Sequence, residues 1–239
     1  MVRIFNTKEE ITIQAADLFV ATAQNAIQKH GRFVVALTGG SSPAALYTLL
    51  ASAPYETKID WNSVFIFWGD ERWVPLDDAL SNAKMANDTL LNHVSIPKNN
   101  IFPMYREGVS AEDYALEYEK SIKNITGEDG QFDLILLGMG DDGHTASLFP
   151  GQAVLQEQDK WVAAYYLESQ TMFRITLTAP LINKAKQIVV VTFGENKAYA
   201  LNEVLYGAYN PGKYPMQLIK PSDGELLFLT DKAATSKEK

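Results

Sequence analysis

The run Phe132-Asp133-Leu134-Ile135-Leu136-Leu137 passes straight into Gly138-Met139-Gly140-Asp141-Asp142-Gly143-His144, and this junction decides how the rest of the chain is read. A short, nearly continuous apolar run suits a strand buried on both faces of a parallel sheet. Glycines and acids immediately behind it mark a tight turn at the strand's carboxyl end. Working outward, the same succession recurs. Phe33–Leu37 (FVVAL) enters Thr38-Gly39-Gly40-Ser41-Ser42, with Pro43 at a first helical position and a helix over 44–51. Val64–Trp68 (VFIFW) enters Gly69-Asp70-Glu71-Arg72, and residues 187–192 (QIVVVT) lead to Gly194-Glu195-Asn196-Lys197 and a helix to about Tyr206. Thr7 with Glu10 reads as a capping box for a helix to about Lys29. Ser81 and Ser110 open two more, to about His93 and Ile125, and residues 161–165, 174–178 and 225–230 read as further strands.

Buried strands alternating with helices predict an α/β fold: a doubly wound, mostly parallel sheet with helices on both faces. No linker or repeat interrupts the pattern, so 1–239 reads as one domain, with 231–239 a charged tail expected to fray. Ligands of open α/β sheets bind beyond the carboxyl ends of the strands. The turns 38–43, 69–72, 138–151 and 194–197 therefore converge on one edge, which is the main clue to function.

The chain carries 21 Lys and Arg against 29 Asp and Glu, a net charge of −8, which argues against non-specific binding to nucleic acid or an anionic membrane. A local cationic pocket can still hold an anion. Hydrophobic residues make up 46% and charged residues 21%, the composition of a folded globular chain. Without cysteine, a disulfide framework, a thiolate metal site and a cysteine nucleophile are excluded. Residues 1–10 hold no signal-peptide core, and no apolar run approaches the roughly 18 residues of a membrane span. The expected location is the cytoplasm and the expected assembly a monomer or weak homo-oligomer.

The turn residues carry the chemistry. Gly39, Gly40, Ser41 and Ser42 offer backbone amides, two hydroxyls and a helix N-terminus to a phosphate, or form only a tight turn; the Gly-Lys-Ser/Thr of a Walker A loop is missing. Arg72 can clamp a phosphate and Asp70 act as a base or orienter, although two acids and an arginine are also what a capped helix and a surface ion pair look like. Of three histidines, His30 and His93 sit at helix ends. His144 follows a buried strand and a glycine turn. It suits a general base whose tautomer a neighbouring carboxylate fixes, the alternative being a structural histidine. Arg174 and Lys197 are surface cations if taken singly, but with Arg72 they can supply three positive charges to one pocket. One candidate histidine and no cysteine make no usual zinc set, so neither metal nor cofactor is expected; Asp141, Asp142 and Glu71 can bind a hard cation, but nothing requires it.

Leu37 to Pro43, Trp68-Gly69-Asp70-Glu71-Arg72-Trp73-Val74-Pro75, Ser81-Asn82, the segment 138–151, Arg174 to Thr178 and Gly194 to Lys197 together resemble the 6-phosphogluconolactonases, in order and over residues 8 to 230. That resemblance implies a Rossmann-like sheet and hydrolysis of a small-molecule sugar phosphate lactone, with His144 as base, Asp142 supporting it, and Arg72, Arg174, Lys197 and the 39–42 loop on the phosphate. The glucosamine-6-phosphate deaminases share the fold but usually read Asp-Glu-Tyr at 70–72 and Asn-Glu-Pro-Gly at 148–151. Here Arg72 and Phe149 stand at those places. Sugar-phosphate-sensing regulators of the same fold add a DNA-binding module, and this chain has no basic helix for one.

Overall fold

Parallel strands form the main sheet in a computed structural model that describes residues 1–236, the side chains of Ser41 and Ser42 excepted. In chain order the strands are β1 (Val2–Phe5), β2 (Phe33–Leu37), β3 (Val64–Trp68), β4 (Asp70–Arg72), β5 (Leu134–Gly138), β6 (Val162–Leu167), β7 (Met172–Leu177), β8 (Gln187–Val191) and β9 (Glu225–Asp231). The helices are α1 (Lys8–His30), α2 (Ser41–Leu50), α3 (Asn82–Ala86), α4 (Ala111–Thr126), α5 (Ala179–Ile182) and α6 (Ala198–Tyr206). The main sheet runs β1-β9-β8-β5-β2-β3, every pairing parallel.

Every residue of β2 is buried, as a strand covered on both faces requires. Alternation puts Phe33 and its register partner Val64 on one face, and Ala36 with its partner Phe67 on the other. Phe19 of α1 meets Phe33 edge-on at 5.2 Å. Tyr118 of α4 and Phe132 meet Phe67 at 5.8 and 5.5 Å. Helices thus cover both faces. The Thr7–Glu10 capping box forms as expected, and Gly31 closes α1 in the left-handed conformation.

From β2 the chain moves outward to β3, then returns past β2 to β5, β8 and β9. The order reverses between β2 and β5, so the turns that follow these two strands diverge and leave a crevice. The site lies there.

Several elements differ from the sequence expectation. Residues 70–72, read as a turn, form β4. With β7 and β6 it makes a second sheet, β4-β7-β6, which is antiparallel. The strands read at 161–165 and 174–178 exist but belong to this small sheet, because pairing direction is not written in local apolarity. β1 was not anticipated: it is a four-residue edge strand with no buried residue. The expected helix over 81–93 is α3 followed by a wider π turn through Leu91. Asp231, where the tail was expected to begin, ends β9, and Ala234 is fully buried; residues 237–239 lie outside the described residues.

Candidate active site

A cleft of about 260 Å³ opens at the switch point. Its lining includes Gly39, Gly40, Asp70, Arg72, His144 and Lys197, drawn from all four turns that the sequence singled out, together with Arg174 of β7. Asn82, Met139, Thr192 and Phe193 line it as well. Ser41 and Ser42 open α2 beside it, but their side chains lie outside the described residues.

The β2 turn comes unusually close to Asn82. A Cβ on Gly39 would lie 1.8 Å from Asn82 Oδ1, so no larger residue fits without displacing that side chain. Gly40, at φ +98°, then turns the chain into α2. Tyr47 of α2 clips the turn from inside, its hydroxyl accepting from Thr38 N and donating to Thr38 O.

Pairing of β4 with β7 makes Arg72 and Arg174 direct cross-strand neighbours, so both guanidinium groups leave the ladder on one side. Like charges so placed repel. Arg174 is only 3% exposed, and burial draws its guanidinium below the usual range, with Asp70 opposing and Arg72 reinforcing the shift. Its Nε donates to Ser147 Oγ at 2.9 Å and its Nη2 to Asp70 at 3.3 Å, while Ser147 donates to the same carboxylate oxygen at 2.6 Å. Arg72 donates from Nη1 to Leu80 O, and its buried Nε has no partner. Three cations and one carboxylate face the cleft, a surplus of two positive charges. That surplus matches a phosphate dianion.

On the β5 side, His144 Nδ1 lies 2.6 Å from Asp142 Oδ1, which also accepts from His144 N at 3.0 Å. Burial pushes the Asp142 carboxyl up, but the bonds from the ring and backbone of His144 outweigh this and hold it below its ordinary value. An ionised carboxylate only accepts, so the proton of a neutral His144 sits on Nδ1 and Nε2 is left as the base. Asp142 itself is not part of the cleft lining; it acts through His144.

Glu71 has a structural place. Fully buried, it accepts from the backbone N–H groups of Arg72, Asn82 and Ala83 and from Ser81 Oγ, capping α3 from a neighbouring strand. Burial raises its carboxyl, with the backbone donors opposing and Asp70 reinforcing the shift. His30 pairs with Asp133 and His93 with Asp88 O, both outside the cleft lining. Ser147 and Asn82 were not foreseen as site residues. Asn82 binds Asp70 O and Ser147 binds Asp70 and Arg174, contacts that no local pattern signals.

The fold and cleft define an α/β protein that sets a cluster of cationic side chains beside a carboxylate-backed histidine at a topological switch point. Residues 6–228 match the model of the family described as glucosamine-6-phosphate isomerases/6-phosphogluconolactonase. The chain is 38% identical to a 6-phosphogluconolactonase of Synechocystis over 95% of its own length and 93% of the relative's. It is 37% identical to a probable 6-phosphogluconolactonase of Arabidopsis thaliana, with 99% and 92% covered. The solved 6-phosphogluconolactonase of Trypanosoma brucei superposes with a TM-score of 0.87 at 26% identity, covering 100% of this chain and 98% of that one. The chain belongs to the glucosamine-6-phosphate isomerase/6-phosphogluconolactonase family.

Proposed function

We propose that the chain hydrolyses 6-phospho-D-glucono-1,5-lactone to 6-phospho-D-gluconate, the second step of the oxidative pentose phosphate pathway. The observation that carries the residue roles is one cleft holding both the Asp142-backed His144 and two surplus positive charges. Arg72, Arg174 and Lys197, with the 39–42 turn, receive the 6-phosphate. His144 Nε2 takes a proton from water as that water attacks the lactone carbonyl. The tetrahedral intermediate collapses by breaking the bond to the ring oxygen, and Nε2 returns the proton to that oxygen. Asp142 holds the imidazole in the needed tautomer and balances the transient imidazolium. Only protons and an acyl group move, so no cofactor is called for.

A deaminase must open a sugar ring, shift a proton between carbons and expel ammonia, which needs several placed acid–base groups. At position 149 this chain places an apolar ring against His144 instead. A phosphorylated sugar does not cross membranes unaided, which is the reason for placing the reaction in the cytoplasm. Among the described residues no helix is long and apolar enough to cross a membrane.

The test is a coupled assay of 6-phosphogluconate formation above the spontaneous rate, run beside ammonia release from glucosamine 6-phosphate. Lactone turnover without ammonia is expected. His144→Asn should lower kcat by roughly 10²–10⁴, the share of a general base, with 6-phosphogluconate binding retained. Comparable ammonia release, or a fully active His144→Asn, overturns the reading.

A further inference from the structure

We propose that Phe149 is a positioning residue that sets His144 and Arg174 against one another, an inference that rests on the lactonase reading above. The Phe149 ring is 8% exposed and lies stacked on the His144 imidazole, with centroids 4.1 Å apart and planes 26° apart. The same ring carries the Arg174 guanidinium, whose central carbon is 5.5 Å from the ring centroid. One apolar side chain therefore touches both the acid–base group and a cation of the anion site.

The contact supplies something the Asp142 bond cannot. A hydrogen bond to Nδ1 fixes the direction in which that nitrogen points, yet the imidazole plane can still tilt about the bond. A flat ring against the imidazole face removes that tilt, and with it the wandering of Nε2 in the cleft. Phe149 is itself held. Its turn is closed by Thr145 Oγ1 donating to Gly138 O at 2.8 Å and by Leu148 N donating to Thr145 O at 2.9 Å, with Ala146 between them at φ +46°. Ser147, on the same turn, accepts from Arg174 Nε at 2.9 Å. Arg174 is thus gripped twice by the turn that carries His144, once through a hydroxyl and once through the Phe149 face. A displacement at either the phosphate or the base is passed to the other through that ring.

Steady-state kinetics of wild type, Phe149→Leu and Phe149→Tyr on 6-phosphogluconolactone and on unphosphorylated gluconolactone test this. Leucine keeps apolar bulk but has no flat face; tyrosine keeps the face. Phe149→Leu should lower kcat about tenfold on both lactones, since sub-ångström misplacement of a catalytic group has effects of this order. It should raise KM on the phosphorylated lactone alone, and Phe149→Tyr should restore wild-type values. A loss of packing alone would lower Tm without this division between kcat and KM and without rescue by tyrosine. If Phe149→Leu does not fold, wild-type proton NMR decides: one of the three histidine ring signals should lie upfield, shifted by the stacked ring. Phe149→Leu with kcat within twofold of wild type, tyrosine as damaging as leucine, or three unshifted histidines refutes the inference while leaving lactonase activity in place. A wild-type chain that does not turn over the lactone refutes the proposed function, and this inference with it.

Discussion

Gly140→Ala puts the smallest possible obstacle beneath the acid–base pair. A Cβ built on Gly140 would lie 2.1 Å from His144 Nδ1, 2.3 Å from its Cε1 and 2.6 Å from Asp142 Oδ1. Real Cβ contacts essentially never fall under 3.0 Å, so the imidazole must withdraw by roughly 0.9 Å, the gap between 2.1 and 3.0 Å. The Gly140 backbone is not among the positive-φ positions, so alanine meets only this clash, and its N–H still donates to His144 O at 2.8 Å. His144 keeps 27% of its side-chain surface exposed and has somewhere to move, so folding should be little affected. Nε2 moves with the ring. Misplacing a catalytic group by about 1 Å can cost on the order of 10²-fold, or about 2.7 kcal/mol of transition-state stabilisation. The coupled assay, with spontaneous hydrolysis subtracted, should therefore show kcat falling about a hundredfold. The Tm should stay near wild type. A Gly140→Ala enzyme with wild-type kcat would show that the position of the Asp142–His144 pair does not govern the reaction.

Lys197→Ala should weaken phosphorylated lactone by about 1.5–3 kcal/mol in KM, typical of a charged hydrogen bond, and leave unphosphorylated gluconolactone nearly unchanged; equal losses on both would remove Lys197 from phosphate recognition. Glu71→Gln should lower the unfolding free energy in urea by about 1–3 kcal/mol, because an amide NH₂ must face backbone donors where a carboxylate oxygen accepted them; unchanged stability refutes the capping role. The Asp142 carboxyl is held below 3.8, so it adds stability above its unfolded value that is lost as pH falls through the lower folded one. The stability difference between wild type and Asp142→Asn should thus be full near neutral pH and shrink in urea titrations below 3.8; a difference that grows there reverses the sign and the argument. Activity should survive thorough chelation, since among the described residues no three His, Asp or Glu side chains converge; loss with EDTA and recovery with one divalent ion would refute this.

The sequence by itself determined the features that short stretches of chain encode. Runs such as Phe33–Leu37 can only be buried on both sides, the Thr7–Glu10 pair caps whatever helix follows it, and glycines and acids behind buried strands mark the turns. These patterns placed β2, β3, β5, β8 and β9 and pointed to Gly39, Gly40, Asp70, Arg72, His144, Arg174 and Lys197, which meet in one cleft. Tertiary structure decided what those residues face. Strands β6 and β7 are legible as strands, but not their partners: β7 pairs antiparallel with β4 on one side and β6 on the other, and only the β4–β7 ladder sets Arg72 opposite Arg174. Glu71 and Asp70 are adjacent acids in the sequence; one is folded inward onto the backbone of α3 and the other outward against Ser147, Arg174 and the cleft. Ser147, Asn82 and Phe149 gain their parts from partners up to 77 residues away. Backbone conformation and burial follow from a residue and its near neighbours, whereas a side chain's partner depends on which distant segments the packed core brings alongside it.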